Sequence, residues 1–292
     1  MAQLTKPPDP NTKVPRLKCP AGAIDAHIHL FGPKADWPFD AQTVYESADA
    51  LPETLIAMHA VIGVSGAVLV SGGAYGRDAR HMLSVLERYP HYFRGVAVPP
   101  DTLSRSEIET MHARGVRGVR FSTHPRGQHL APILPELAAN VFEKGWHVQF
   151  YSHAGGIVDA ADRLLALPND IVLDHFGTIV AEAGLEQPAF QTILRMLDTG
   201  RTWVKLSGPM RCSRLDPPYA DMVPFARRLV AHAPERLIWG TDWPHPNMND
   251  QVMPNDGDLL DLMLDWAPDE AVRNRILIDN PGRLYDFGPP PG

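Results

Sequence analysis

Eight short apolar runs punctuate this chain: Ala23–Ile28, Gly66–Val70, Phe93–Val98, Gly118–Phe121, His147–Tyr151, Ile171–Leu173, Trp203–Leu206 and Leu237–Trp239. They recur about every 25–35 residues, room for a strand, a crossover helix and two turns. The stretches between them carry helical patterning. In Asp78–Tyr89, the residues Ala79, Met82, Leu83, Leu86 and Tyr89 fall on one face of a 3.6-residue period. Phe190, Ile193, Leu194 and Leu197 do the same in Pro188–Asp198, and Pro52-Glu53 reads as a helix start. Strands alternating with helices predict an α/β fold, and eight of them predict a (β/α)₈ TIM barrel. An open doubly wound sheet would usually carry a Gly-rich phosphate turn after its first strand, and HIHLFGP is not one.

Composition narrows the function classes without choosing among them. No run approaches the ~20 apolar residues of a membrane span, and the opening MAQLTKPPDPNTKVPRLKCP has no apolar signal core, so a cytoplasmic protein is expected. Cys19 and Cys212 are too few for a disulfide framework. A net charge of −7 argues against a nucleic-acid surface, so an anionic substrate would need a locally basic pocket. The 29 prolines sit at element ends rather than in one linker. The expected layout is therefore an extended arm over residues 1–20 and one barrel over 21–292, closed by a C-terminal helix and tail within Asp269–Phe287.

In a parallel barrel the chemistry sits at the C-terminal ends of the strands. The last run leads into Gly240 and then Asp242, and a carboxylate there must face a polar cavity or a strong partner. Asp242 is accordingly the first candidate for a catalytic base. The first run ends in Asp25-Ala26-His27-Ile28-His29, where residues two apart point the same way and two imidazoles converge. Ser71-Gly72-Gly73 offers backbone N–H groups to an anion, or is simply a tight turn. Arg120, with Arg126 beyond it in FSTHPRG, needs an anion or carboxylate to pair with. Further ends supply Tyr151 and His153, Asp174-His175, Ser207 with Arg211 and Arg214, and His245. His59, His81, His91, His112 and His232 lie on or beside helical stretches and read as packing or surface residues.

HxH after the first strand, His after the fifth and sixth, and Asp after the eighth form a specific set. It resembles the amidohydrolase superfamily over essentially the whole chain. The stretches DAHIHLFGP, GVRGVRFS, GWHVQFY, VLDHFG, KLSGPMR, VPFARR, WGTDWPHPN and DNPGRLY are most similar to the 2-pyrone-4,6-dicarboxylate lactonase family, whose best-known members work without a metal. The resemblance implies Asp242 as base for water, with His27, His29 and His175 polarising a lactone carbonyl. Tyr45, Arg120, Arg126, Tyr151 and Arg211 would hold the substrate, joined by Ser71, His245 and Asn247.

Two departures stand out. Thr178 replaces the arginine that the family pattern has three residues after the strand-six histidine, which removes one carboxylate clamp. His153 appears where the metal-free pattern has no histidine, and would complete a ligand set of His27, His29, His153 and Asp242 for zinc or manganese. The positive charge of Arg120 opposes a cation, so no cofactor is expected and a single divalent metal is the runner-up. The reading is a lactonase of the amidohydrolase superfamily, suited to aromatic catabolism, acting on a small anionic lactone, 2-pyrone-dicarboxylate-like or muconolactone-like. No nucleic-acid or membrane partner is expected, and a homo-oligomer stays open. The alternatives are a metal-dependent decarboxylase or amide hydrolase of the same superfamily, and a non-catalytic binding barrel.

Overall fold

Convergence of those strand ends requires a closed sheet. The computed structural model describes residues 3–43, 45–123, 135–153, 155–249 and 251–288, so Arg126 lies outside the described residues. In chain order the strands are β1 (Gln3–Thr5), β2 (Ile24–Ile28), β3 (Tyr45–Ser47), β4 (Gly66–Val70), β5 (Phe93–Ala97), β6 (Val116–Ser122), β7 (His147–Tyr151), β8 (Ile171–Leu173), β9 (Thr202–Ser207) and β10 (Leu237–Gly240). Eight of them pair in parallel in the order β2-β4-β5-β6-β7-β8-β9-β10. The helices between them are α1 (Pro52–Ile62), α2 (Arg80–Arg88), α3 (Arg105–Ala113), α4 (Pro135–Phe142), α5 (Gly156–Leu165), α6 (Pro188–Leu197) and α7 (Val223–His232). This is the (β/α)₈ barrel.

The strands are continuous apolar runs because helices cover one face and the lumen the other. Every residue of β4 is buried, as is every residue of β10. Helix ends follow their local chemistry. Pro52 starts α1, and Gly63 ends it at φ +83°, a left-handed turn that costs glycine little. Ser104 and Glu107 form a reciprocal capping box on α3.

The barrel closes at a seam between its first and last strands. Asp242 N–H donates to the His27 carbonyl at 2.9 Å, and His29 N–H to the Trp243 carbonyl at 2.7 Å. An isolated parallel bridge joins Ile28 to Trp243. The closing bonds thus run through the very residues singled out by sequence.

The extended arm is tied down, since β1 pairs in parallel with β3. Lys13 N–H donates to Asn255 Oδ1 and Leu17 N–H to Asp261 Oδ1, both on or beside α8 (Asp256–Trp266). The C-terminal region, read as one helix, divides into α9 (Glu270–Asn274), a π-turn over Arg275–Asp279 and α10 (Asn280–Tyr285). Pro281 has no N–H for the carbonyl four residues back, and the ladder re-registers just before it.

Candidate active site

Four side-chain atoms meet at the C-terminal mouth of the barrel. His27 Nε2 and His29 Nε2 lie 3.3 Å apart at the end of β2. Asp242 Oδ1, just beyond β10, sits 3.7 Å from His27 Nε2, 3.6 Å from His29 Nε2 and 3.7 Å from His175 Nε2. All four residues are at most 4% exposed. Asp242 and His175 both hold left-handed backbone, at φ +68° and +47°. Such conformations cost a non-glycine residue on the order of 1–3 kcal/mol and persist where the surroundings over-determine them.

Asp242 splits its oxygens. Oδ2 accepts from Arg211 Nε at 2.9 Å and Nη2 at 2.7 Å, whereas Oδ1 accepts no hydrogen bond among the described residues. Burial alone would raise the carboxyl's pKa, but the Arg211 guanidinium and neighbouring imidazoles override it and hold it well below the usual carboxylate range. Burial also pushes the His175 imidazole down to about 4, against the pull of Asp242. His29 Nδ1 lies 2.9 Å from the Val70 carbonyl, and His175 Nδ1 lies 2.9 Å from Ser207 Oγ.

Beneath this cluster is a buried ionic layer. Asp174 Oδ2 accepts from Arg120 Nε at 2.9 Å and Gln149 Nε2 at 3.1 Å. Burial would raise Asp174, but the charges of Arg120 and Lys205 hold it well below the carboxylate range. Lys205, with no exposed surface, donates to Gln149 Oε1 at 2.9 Å. Its Nζ stands 3.2 Å from His27 Nδ1 and 3.5 Å from Asp174 Oδ1. Burial lowers its pKa to about 8 while Asp174 resists the shift. Sequence reasoning passed over Lys205 and Gln149. A lysine inside the apolar run WVKLS was the available signal, because an unpaired charge is not tolerated there.

The expected substrate-holding residues divide. Tyr151 is inside, its ring 4.9 Å from the Arg120 guanidinium and 5.6 Å from the His175 ring. Tyr45 is buried and feels Arg120, Arg211 and Asp242; burial pushes its hydroxyl up to about 12. Arg120 and Arg211 are present, each on a carboxylate of the protein. Ser71 Oγ is spent on Met82 Sδ at 3.7 Å. Three residues stand apart from the cluster. His245 lies 3.2 Å from Asp256 Oδ1 at the start of α8, Asn247 is exposed with its N–H on Thr5 Oγ1, and His153 is exposed. The third imidazole at Asp242 is His175, and Tyr151 of β7 packs against its ring. Thr178, in place of an arginine, turns its hydroxyl to the Ser152 carbonyl.

Spacing alone would admit a divalent cation, with ligand atoms of His27, His175 and Asp242 within 4.8 Å of one another. Charge does not. Arg211 already neutralises Asp242, and Lys205 Nζ stands directly behind His27. A buried divalent cation would face both positive charges, which oppose it there.

A parallel eight-stranded barrel with His-X-His on its first strand and an aspartate after its last defines the class, and the chain belongs to the amidohydrolase family, whose profile matches residues 24–287. It is 38% identical over 286 residues to the 2-pyrone-4,6-dicarboxylate hydrolase of Comamonas testosteroni, covering 94% of this chain and 93% of that protein. It is 36% identical to the 4-sulfomuconolactone hydrolase of Hydrogenophaga intermedia, covering 92% and 90%. A crystal structure from Agrobacterium tumefaciens superposes with a TM-score of 0.86 at 30% identity, covering 94% of this chain and 99% of that one.

Proposed function

We propose that this protein hydrolyses a small lactone bearing an anionic group, with Asp242 as the base and no metal. The observation that carries the reading is the split carboxylate: Oδ2 fixed by two N–H donors of Arg211, Oδ1 bare and ringed by three imidazoles at 3.6–3.7 Å. Oδ1 takes a proton from water, and the hydroxide formed attacks the lactone carbonyl. An imidazole N–H at the mouth donates to the oxyanion as it develops, where preorganised donors in a dry site are worth most. Collapse of the tetrahedral intermediate breaks the ring C–O bond, and the proton on Asp242 passes to the leaving oxygen. Arg211 uses two of its five N–H donors on Asp242, and its other donors with Arg120, Tyr45 and Tyr151 suit a substrate carboxylate or sulfonate. The names of the two relatives carry such groups.

The test is hydrolysis of 2-pyrone-4,6-dicarboxylate and 4-sulfomuconolactone by purified protein, before and after exhaustive chelation and dialysis. Turnover of at least one, unchanged by chelation and by added zinc, is expected. Activity lost on chelation and restored by zinc or manganese would overturn the metal-free mechanism; equal turnover of an uncharged lactone would overturn the anionic substrate class.

A further inference from the structure

His27 is the one imidazole of the three that touches both the mouth cluster and the ionic layer beneath. Its Nδ1 lies 3.2 Å from Lys205 Nζ and 3.2 Å from Asp174 Oδ1. These neighbours make opposite demands. An ammonium can only donate, which leaves Nδ1 bare and puts the ring proton on Nε2. A carboxylate can only accept, which puts the proton on Nδ1. The alignment favours the lysine: Lys205 meets His27 in hydrogen-bond geometry, whereas Asp174 Oδ1, as near to Nδ1 and attracting it electrostatically, is not aligned with the ring N–H direction.

The other side of the ring gives an independent reading. His29 Nδ1 contacts the Val70 carbonyl at 2.9 Å, and a carbonyl only accepts, so His29 carries its proton on Nδ1. In the neutral ring that leaves His29 Nε2 bare. The 3.3 Å contact between the two Nε2 atoms then needs its proton from His27. Both neighbours therefore place the His27 proton on Nε2, facing the mouth.

We infer that Lys205 is a positioning residue that fixes His27 in its Nε2–H tautomer, making it the proton donor to the substrate carbonyl. The donors run one way, from Lys205 to His27, from His27 to His29, and from His29 to the Val70 carbonyl. When a lactone carbonyl enters, the His27 proton transfers its hydrogen bond from His29 to that oxygen without a change of tautomer. Gln149 serves the same end, its Oε1 accepting from the ammonium and its Nε2 donating to Asp174 Oδ2. A cation at the mouth would need the lone pair that this proton occupies.

What the tautomer does for catalysis rests on the lactone-hydrolase reading; the tautomer itself is measurable without any substrate. Nitrogen-15 spectra of histidine-labelled protein, with His27 assigned by difference against His27→Gln, should show a protonated Nε2 and a bare Nδ1. In Lys205→Met the pattern should reverse, as Nδ1–H turns to Asp174. With lactone as substrate, kcat of that variant should fall ~10²-fold or more, the range of a misplaced proton donor, with KM within about threefold. A wild-type His27 protonated on Nδ1, or an unchanged pattern in Lys205→Met, would overturn the inference. The wild-type spectrum decides alone if the variant does not fold. A wild-type enzyme with the expected spectrum but no lactone turnover would sink the functional reading and leave the tautomer standing.

Discussion

Asp242 carries its charge on one oxygen and presents the other, and substitutions at the residue scale separate the two. Asp242→Asn keeps the shape and one acceptor but cannot take a proton. Its melting should stay cooperative while kcat falls by about 10²–10⁴; near-normal turnover in the folded variant would remove Asp242 from the mechanism. Arg211→Met acts differently, because it strips the guanidinium from a fully buried carboxylate as well as from the substrate. Breaking one side of a buried pair costs about 3–5 kcal/mol. The variant should therefore lose stability and kcat as well as raise KM, and a pure KM effect would show that the Asp242 contact is incidental. Sequence pointed to Asp242 because a carboxylate just past a buried strand has few bland explanations, and to Arg211 through the family resemblance. It could not tell that Arg120 and Arg211 each face a carboxylate of the protein itself, since that pairing is made across strands far apart in the chain.

At the element scale, strands were legible wherever both faces are covered. β4, β7 and β8 coincide with their apolar runs, because continuous burial leaves no ambiguity of period. The three-residue strands β1 and β3 were not legible, since their pairing draws on residues more than forty apart and on no local pattern. His245 and Asn247 make their contacts away from the cluster for a related reason. Proximity to Asp242 in sequence suggested the pocket, but the left-handed backbone at both positions turns the chain away, one to Asp256 and the other to the arm. One amide joins arm and helix: Asn255 caps α8 through Gly257 N–H, accepts from Lys13 N–H, and donates to Asp9 and to the Asn11 carbonyl. Asn255→Ala should cost about 1–2 kcal/mol by loss of the cap and make the arm an early site of proteolysis. Unchanged protease sensitivity would mean that Asp261 alone secures the arm.

For the whole molecule, the buried imidazoles set the acid limit. Burial holds His175 down to about 4 and His147 to about 3, against an ordinary 6.5. Below pH 6.5 the unfolded chain takes up protons that the folded chain refuses, so stability present above 6.5 is lost as pH falls towards 4 and 3. For His175 alone the full difference is on the order of 3 kcal/mol. The urea midpoint should be level near pH 7 and decline steadily below about 6.5. A midpoint flat down to pH 5 would show that these rings are protonated in the native state.

The seam joining β2 to the segment after β10 has a consequence in time. Synthesis delivers His27 and His29 early and Asp242 only after every other barrel strand is made. A chain halted before Leu237 holds seven of the eight parallel strands and no water-activating carboxylate, and the same missing bonds leave its first strand with an open edge. Enzyme activity during refolding should therefore appear with the last step of closure, never ahead of it, so turnover serves as a clock for barrel completion.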